Sequence, residues 1–208
     1  MIDAALAHFA KVDPRMHELV LIHRDTTREP EVIAPDLYFE RLCRTIVGQQ
    51  LSVKAAATIW QRTLASLGTD TSKPLATEDF SRVDDDSLRA AGLSYQKIGY
   101  IRALIESLDN RAVDLTSLGK MDDNLVIAEL TKLKGIGTWS AEMFLIFAMG
   151  RPDVFSAGDL GLMTAAAQLY QLDRKADADK IVANLERLSP YRTVASLTLW
   201  HSLDNQPK

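Results

Sequence analysis

Asp159 is the acidic residue whose position most favours chemistry. It follows the loop Gly150–Gly158, which contains Pro152, and it comes directly before an apolar run that predicts a helix. A helix N-terminus orients a carboxylate and favours its charged form. The spacing also fits a simpler alternative, a capping-box-like pair of Ser156 with Asp159 three residues later. Residue type and spacing therefore predict a fixed carboxylate, with a chemical role, a structural role or both.

A glycine turn precedes this carboxylate in the chain. Gly135 and Gly137 flank Ile136 between two predicted helices. Glycine permits positive φ and a close approach of a ligand to the backbone, and the helix that follows offers unpaired N–H groups with a partial positive charge. A phosphate fits there without any charged side chain, with Ile136 pointing into the core to fix the turn. The alternative is an ordinary glycine-terminated helix followed by a turn.

Helices are expected to position both features. Apolar residues recur at helical spacing throughout and no convincing alternating strand is found, which predicts an all-α, orthogonal fold of many short helices. Ser52 and Ser94 are expected to cap helices, and Gly68 and Gly92 to end them. The predicted helices span residues 36–47, 52–67, 85–91, 94–108, 123–133, 139–149, 160–170, 178–188 and 192–202.

Composition excludes several kinds of site. Cys43 is the only cysteine, so the chain cannot form an internal disulfide, a cysteine zinc site or a four-cysteine iron–sulfur cluster. The histidines at positions 8, 17, 23 and 201 show no metal-ligand spacing with a nearby carboxylate, so neither a catalytic metal nor a cofactor is expected. The formal net charge of −4 counts mildly against a nucleic-acid partner. A local basic or backbone surface can still contact phosphates.

The sequence also bears on location and assembly. No apolar run reaches membrane-spanning length, and the N-terminus lacks a charged-then-apolar signal pattern. We therefore expect no membrane partner and a cytoplasmic location, in the nucleoid of a bacterium, or a nuclear location in a eukaryote. A single domain is expected over residues 1–208, with a monomer as the default.

Three segments stand in the order and spacing of a known family. They are Ile46-Val47-Gly48-Gln49-Gln50-Leu51-Ser52-Val53, Leu133-x-Gly135-Ile136-Gly137-x-x-Ser140-Ala141 and Asp153-Val-Phe-x-x-x-Asp159. Together they resemble the helix–hairpin–helix (HhH-GPD) DNA glycosylase superfamily, in particular its 3-methyladenine DNA glycosylase II branch. The resemblance runs from about Phe39 to His201 and favours the compact form without an N-terminal β domain. It implies an all-α fold of two lobes, with the active-site cleft between them.

The resemblance implies a chemical role for each motif. A hairpin motif over about residues 125–149 would grip the DNA backbone, and a loop over residues 150–160 would present Asp159 as the catalytic carboxylate. Cleavage of an N-glycosidic bond builds positive charge on the sugar, which a carboxylate near C1′ stabilises. An alkylated purine already carries positive charge and leaves readily, so one carboxylate suffices. In the family a monovalent cation is often held by hairpin carbonyls, here those of Leu133 and Gly135.

Position 139 separates two branches of this superfamily. Related bifunctional enzymes have a Schiff-base lysine there, and Trp139 cannot act as that nucleophile, which predicts no strand-nicking lyase activity. A tryptophan is typical of the alkyladenine branch, where its ring face attracts a cationic purine. Trp200, Met143 and Phe39 complete the expected substrate pocket, although the family often has an aromatic ring in place of Met143. The alternative for each tryptophan is a core position, as expected for Trp60.

Double-stranded DNA with alkylated bases is the expected partner. An enzyme that acts on a base must extrude it, and a side chain then fills the vacated space. Gln50 matches the family position of that side chain, and Leu51 is the rival. The other expected DNA contacts are Gln49, Lys54, Lys134, Gly135, Gly137, Thr138 and Ser140.

The sequence thus predicts a monofunctional DNA N-glycosylase for alkylated purines of the 3-methyladenine and 7-methylguanine type. It would act in base excision repair, by base flipping and carboxylate-assisted hydrolysis. Two alternatives stay open. One is a non-catalytic DNA-damage-binding module with the same hairpin, and the other is a glycosylase for another base lesion.

Overall fold

The computed structural model describes residues 1–69 and 72–204, apart from the side chain of Asp204. Within these residues all regular secondary structure is helical. The chain divides into two compact units, a terminal unit of Met1–Glu31 with Leu145–Lys208 and a central unit of Val32–Phe144. The predicted all-α fold is confirmed. The single domain over residues 1–208 and the position of a cleft stay predictions.

The helices follow one another closely along the described chain. They are α1 (Ile2–Val12), α2 (Pro14–His23), α3 (Tyr38–Gly48), α4 (Val53–Leu67), α5 (Thr77–Ser81), α6 (Asp85–Ala91), α7 (Tyr95–Asp109), α8 (Asp123–Thr131), α9 (Thr138–Phe147), α10 (Leu160–Tyr170), α11 (Ala178–Glu186) and α12 (Arg192–Asp204). Two 3₁₀ helices lie at Pro35–Leu37 and Leu115–Lys120. None of the helices in the described ranges is both long and apolar enough to cross a membrane.

Local caps set several of these boundaries as predicted. The Oγ atoms of Ser52 and Ser94 each accept a hydrogen bond from a backbone N–H three residues later, at the starts of α4 and α7. Gly68 and Gly92 adopt left-handed conformations at the ends of α4 and α6. Glycine reaches this conformation without the steric penalty of a Cβ atom, so it ends a helix cleanly.

Other boundaries differ from the prediction. The segment predicted as one helix over residues 36–47 starts as the 3₁₀ helix Pro35–Leu37, with a proline in its first position, and becomes α-helical at Tyr38. The helix predicted over residues 123–133 already ends at Thr131. Apolar residues continue into the hairpin after α8, because Leu133 is buried by the turn rather than by the helix. An apolar period therefore overstates the length of α8.

Each unit has its own apolar core. In the terminal unit, residues of α1, α2, α10, α11 and α12 pack together, with Phe9 and Leu162 fully buried among them. In the central unit, Phe80 and Ile101 are fully buried, and Trp60 is 4% exposed. The prediction that Trp60 is a core residue is confirmed.

Candidate functional site

The hairpin between α8 and α9 is built mainly from backbone groups. The Leu133 N–H donates to the Leu130 oxygen at 3.1 Å, and the Ile136 N–H donates to the Leu133 oxygen at 3.0 Å. Gly135 has a φ of 89°, a conformation that favours glycine. Ile136 is 5% exposed, as expected for a residue that fixes the turn in the core. Backbone hydrogen bonds and the buried side chain of Ile136 thus hold the turn.

The outer surface of the hairpin contains four of the nine predicted DNA contacts. Lys134, Gly137 and Thr138 are exposed and Gly135 is half-buried. The oxygen of Gly137 accepts the first helical hydrogen bond of α9, so the positive end of this helix begins here. Ser140 is only 7% exposed, so its side chain has little surface for the predicted DNA contact.

The two carbonyl groups predicted to bind a cation already accept hydrogen bonds. The Leu133 oxygen accepts from the Ile136 N–H, and the Gly135 oxygen accepts from the Gln49 side-chain amide at 2.8 Å. A carbonyl oxygen has a second lone pair, so a cation at this turn stays a prediction. Within residues 1–69 and 72–204, no group of three or more His, Cys, Asp or Glu side chains could hold a metal ion.

The turn between α3 and α4 presents both candidates for the side chain that fills the vacated base position. Gln50 is exposed and has a φ of 58°, and Leu51 is 37% exposed. Gln49 differs from them, since it is half-buried and its amide donates to the hairpin oxygen of Gly135. Lys54, in the first turn of α4, is exposed as a phosphate contact requires. Gln50 and Leu51 therefore stay rival predictions.

Asp159 lies at the start of α10 and is itself the N-cap residue. Its Oδ1 atom accepts the Leu162 N–H at 2.8 Å. The capping-box alternative placed the N-cap at Ser156, whereas the N-cap is Asp159 itself. Ser156 is fully buried, and its backbone oxygen accepts the Asp159 N–H. The carboxylate is thus oriented by a backbone N–H at the helix N-terminus.

Trp200 holds the same carboxylate oxygen from the side. Its Nε1–H donates to Asp159 Oδ1 at 3.2 Å, and its ring stacks on Phe147 with centroids 5.8 Å apart. The side chain of Trp200 is half-buried. The sequence predicted a pocket position for this ring, and the geometry adds an orienting contact to Asp159.

Gly161 leaves the space that this contact needs. A Cβ atom at position 161 would lie 3.1 Å from Asp159 Oδ1 and 3.6 Å from the Trp200 ring. A distance of 3.1 Å is too short for an unstrained contact, so a larger residue would push the carboxylate or the indole away. A glycine inside the first turn of a helix, where it costs stability, is the sequence signal for this role.

The loop before Asp159 is bound firmly to the start of α12. Arg192 donates from Nε to Asp153 Oδ1 at 2.8 Å and from Nη2 to Oδ2 at 2.9 Å, while Ser189 Oγ donates to Oδ2 at 2.7 Å. Burial alone would raise the pKa of Asp153, but the hydrogen bonds from Arg192 and Ser189 outweigh it and hold the pKa below its ordinary value. Thr193 adds hydrogen bonds to the Arg151 oxygen and from the Val154 N–H.

The other three residues predicted for the substrate pocket belong to the central unit. Trp139 is 46% exposed in the first turn of α9, and Met143 is half-buried one turn later. Phe39 is 7% exposed and meets Phe80 edge-on at 6.2 Å, beside a cavity of about 570 Å³. Phe39 therefore behaves as a core residue in this structure, whereas Trp139 is largely exposed, as a residue that stacks on a base requires.

Sequence reasoning did not assign a role to Arg192, Gly161 or Lys97. Arg192 lies eight residues before Trp200 in the sequence, and its partner Asp153 lies 39 residues earlier. Lys97 donates to backbone oxygens of the turn between α3 and α4, about 50 residues away in sequence. A lysine next to the buried stripe of α7, three residues after its Ser94 cap, is the signal that could have found it.

Comparison with known proteins gives a consistent result. The sequence model of the HhH-GPD superfamily, described as base excision DNA repair protein, matches residues 43–190. DNA-3-methyladenine glycosylase 1 of Schizosaccharomyces pombe is 31% identical over 163 residues, which cover 78% of this chain and 71% of that protein.

Solved structures agree over nearly the whole chain. DNA-3-methyladenine glycosidase from Bacillus halodurans superposes with a TM-score of 0.80 at 37% identity, covering 95% of this chain and 88% of that one. The 3-methyladenine DNA glycosylase Mag1 of Schizosaccharomyces pombe, in complex with abasic DNA, gives a TM-score of 0.79 at 26% identity. That match covers 99% of this chain and 100% of the other.

Proposed function

Because the chain belongs to the HhH-GPD superfamily of base excision DNA repair proteins, we propose that it is a DNA glycosylase that excises alkylated purines from duplex DNA. The observation that carries the proposal is the geometry of Asp159. One of its carboxylate oxygens is fixed by a backbone N–H of α10 and by the indole N–H of Trp200. The names of the relatives, which are 3-methyladenine DNA glycosylases, support the substrate class.

The proposed reaction is hydrolysis of the bond between C1′ and the purine nitrogen. That bond breaks with its electron pair leaving on the purine, and positive charge develops on the sugar. The Asp159 carboxylate stabilises this charge and orients the water that adds to C1′ and gives up a proton. An alkylated purine leaves as a neutral base, because it was cationic while bound. It therefore needs no general acid, which suits a site with one oriented carboxylate.

The proposed pocket uses the exposed ring of Trp139. A tryptophan face attracts a cationic purine through cation–π and stacking interactions. Met143 lies one turn further along α9 and would add a polarisable apolar contact. Trp139 also supports a monofunctional enzyme, because an indole cannot form the Schiff base that a strand-nicking lyase needs.

The proposed grip on DNA uses two surfaces of the central unit. The hairpin offers Gly137 and the start of α9 to a phosphate, with Lys134 and Thr138 beside them. The turn between α3 and α4 offers Gln50 and Leu51 to the space that the flipped base vacates. The phosphate contacts of the hairpin do not depend on the base sequence, as a repair enzyme that searches for lesions requires.

Base release from methylated duplex DNA tests this proposal. We expect the wild-type protein to release methylated purines, identified by chromatography, and to leave the strands intact without alkali treatment. Asp159→Asn should lower the single-turnover rate by roughly 10²–10³-fold, as for loss of one electrostatic group at a reacting centre. Nicked product would contradict the monofunctional assignment.

Asp84→Asn is a matched control for this substitution. Asp84 caps α6 through the Ser87 N–H at 2.7 Å, much as Asp159 caps α10. Asparagine caps a helix as well as aspartate does, so both variants should fold alike and only Asp159→Asn should lose activity. If the wild type binds methylated duplex but leaves no abasic sites, it is a damage-binding module. If it releases only other bases from a substrate panel, the substrate assignment is wrong.

A further inference from the structure

Lys97 bonds to the backbone at the end of α3. Its Nζ donates to the Val47 oxygen at 2.6 Å and to the Gln49 oxygen at 2.9 Å, and the side chain is half-buried. Burial lowers the pKa of Lys97 from its ordinary value. Burying a charged ammonium group costs free energy, so a lysine without a structural role keeps this group exposed to water. An ammonium group that is partly buried and directed at carbonyl oxygens therefore has a structural role.

This lysine completes the hydrogen bonding where α3 ends. The last carbonyl groups of a helix have no partner within it. Here the Ile46 oxygen accepts from the Gln49 N–H and the Gly48 oxygen accepts from the Leu51 N–H. The Val47 and Gln49 oxygens accept from Lys97, whose positive charge also suits the negative end of the helix dipole. Lys97 thus holds the turn that presents Gln50 and Leu51.

The same turn is joined to the hairpin. The Gln49 amide donates to the Gly135 oxygen at 2.8 Å. A Cβ atom at Gly135 would lie only 2.3 Å from the ring of Tyr100, so the hairpin backbone packs directly on that ring. Tyr100 and Lys97 both belong to α7 and lie one turn apart. Helix α7 therefore contacts the turn through Lys97 and the hairpin through Tyr100, while Gln49 joins the turn and the hairpin to each other.

A cavity of about 400 Å³ lies where these three elements meet, lined by Gln50, Leu51 and Gly135 together with residues of α7. The two surfaces proposed to bind DNA are thus held in place by the same group of contacts, those of Lys97, Tyr100 and Gln49. From this geometry we propose that Lys97 is a positioning residue. It keeps the turn between α3 and α4, which is proposed to fill the vacated base position, aligned with the hairpin that is proposed to bind phosphate. The inference rests on the proposed function, since it specifies how two DNA-contacting surfaces act together.

Lys97→Met tests the inference, because it keeps the aliphatic stem and removes the donors. We expect the single-turnover release of methylated purines to fall by about 10- to 100-fold, the loss that a small misplacement of a substrate-positioning group causes. We also expect a weaker fluorescence increase from 2-aminopurine placed beside an abasic site, since this signal reports insertion of the turn into the base stack. Lys11→Met makes the same change at an exposed lysine of α1 and should leave both readouts unchanged.

Salt dependence separates positioning from a direct phosphate contact. Loss of one lysine–phosphate contact lowers the slope of log affinity against log salt concentration by about 0.9. We expect that change for Lys54→Met, on abasic duplex, and an unchanged slope for Lys97→Met. A slope reduced in Lys97→Met as in Lys54→Met would overturn the positioning role.

A second substitution keeps the inference testable if Lys97→Met does not fold at the assay temperature. Gln49→Leu removes only the link to Gly135, and we expect it to reduce the 2-aminopurine signal and the release rate in the same way. Wild-type values for both readouts, in either folded variant, would overturn the inference. The positioning role and the proposed function can fail separately. If wild-type protein releases no base, the 2-aminopurine signal still shows whether Lys97 controls insertion of the turn.

Discussion

The hairpin of the central unit and the loop before α10 in the terminal unit are both turns that lead into a helix, yet they are built differently. The hairpin is fixed mainly at its backbone, by short-range hydrogen bonds and a positive φ at Gly135, with the Gln49 amide bound to the Gly135 oxygen and the Tyr100 ring packed on Gly135. The loop is fixed by side chains from a distant helix, above all by the paired hydrogen bonds of Arg192 to Asp153.

The difference follows from what each turn presents. A phosphate can be bound by backbone N–H groups in many orientations, so a tightly turned glycine segment is sufficient. The role proposed for Asp159, in which its carboxylate faces one sugar carbon, requires a more closely fixed position, and the side-chain contacts of Asp159 and of the loop before it meet that requirement. Substitutions in the hairpin should therefore act through the backbone, and substitutions around the loop should act through charge and hydrogen bonding.

Gly135→Ala should give the largest effect on the hairpin. Alanine at this position would be strained by the φ of 89° and would place its Cβ 2.3 Å from the Tyr100 ring. We expect a loss of about 3 kcal/mol in the free energy of unfolding, from backbone strain and overpacking together. Urea denaturation measures it.

Gly137→Ser is the matched control for Gly135→Ala. Nothing lies within 4 Å of a Cβ atom at Gly137, and serine is a favoured residue at a helix start. Its stability should stay within about 0.5 kcal/mol of wild type. Equal losses in both variants would show that the hairpin is not fixed by the contact between Gly135 and Tyr100.

Asp153→Asn should give the next largest effect and should act through charge. Removing the carboxylate leaves Arg192 and Ser189 without their charged acceptor, at a cost of about 2 kcal/mol in unfolding free energy at neutral pH. The pKa of Asp153 is lowered in the folded protein, so its contribution is present above the unfolded pKa of about 3.9 and is lost as the pH falls through the folded value.

The pH dependence of that loss is the sharper measurement. The stability difference between wild type and Asp153→Asn should be constant from about pH 7 to pH 5 and should shrink below about pH 4. Asp85→Asn removes a more exposed ion pair with Arg102 and should cost less than about 0.5 kcal/mol. A pH-independent difference for Asp153→Asn would mean that packing, and not the charge, holds the loop.

Trp139→Ala should weaken catalysis on cationic purines by about 1.5 kcal/mol, or roughly 10-fold in single-turnover rate, because the exposed ring face is lost. Affinity for abasic duplex, which has no base to stack, should change by less than about 2-fold. Trp139→Phe keeps an aromatic face and should retain most of the rate. Equal losses of rate and abasic-site affinity would mean that Trp139 serves DNA binding and not the base pocket.

The sequence predicted features that depend on neighbouring residues. The caps at Ser52 and Ser94 and the start of α10 are set by side chains next to the helix ends, and the predictions for them are confirmed. The end of α8 was placed too late, since an apolar period does not distinguish a helix from a buried turn such as that at Leu133.

Contacts between distant residues could not be predicted in the same way. The Trp200 N–H meets Asp159 across 41 residues, and Lys97 meets the turn after α3 across about 50. Such pairs depend on how the helices pack against one another, and local patterns in a single sequence do not reveal that packing. The family resemblance placed Trp200 in the expected substrate pocket, but only the structure shows that its N–H contacts Asp159.

Trp200→Phe should give the smallest effect and should identify what Trp200 does. Phenylalanine keeps a ring that can stack on Phe147 but removes the N–H that orients Asp159. The carboxylate keeps its contact with water when this hydrogen bond is lost. The loss should therefore cost about 1 kcal/mol, or roughly 5-fold in the rate of base release, with little change in binding to abasic duplex.

The variant Trp200→Ala removes the ring and the donor together and should lose more activity. If Trp200→Phe keeps the full rate while Trp200→Ala is inactive, the ring matters and the N–H does not. The N–H of Trp200 would then not govern the Asp159 carboxylate, and Trp200 would serve the substrate pocket, as predicted from the sequence.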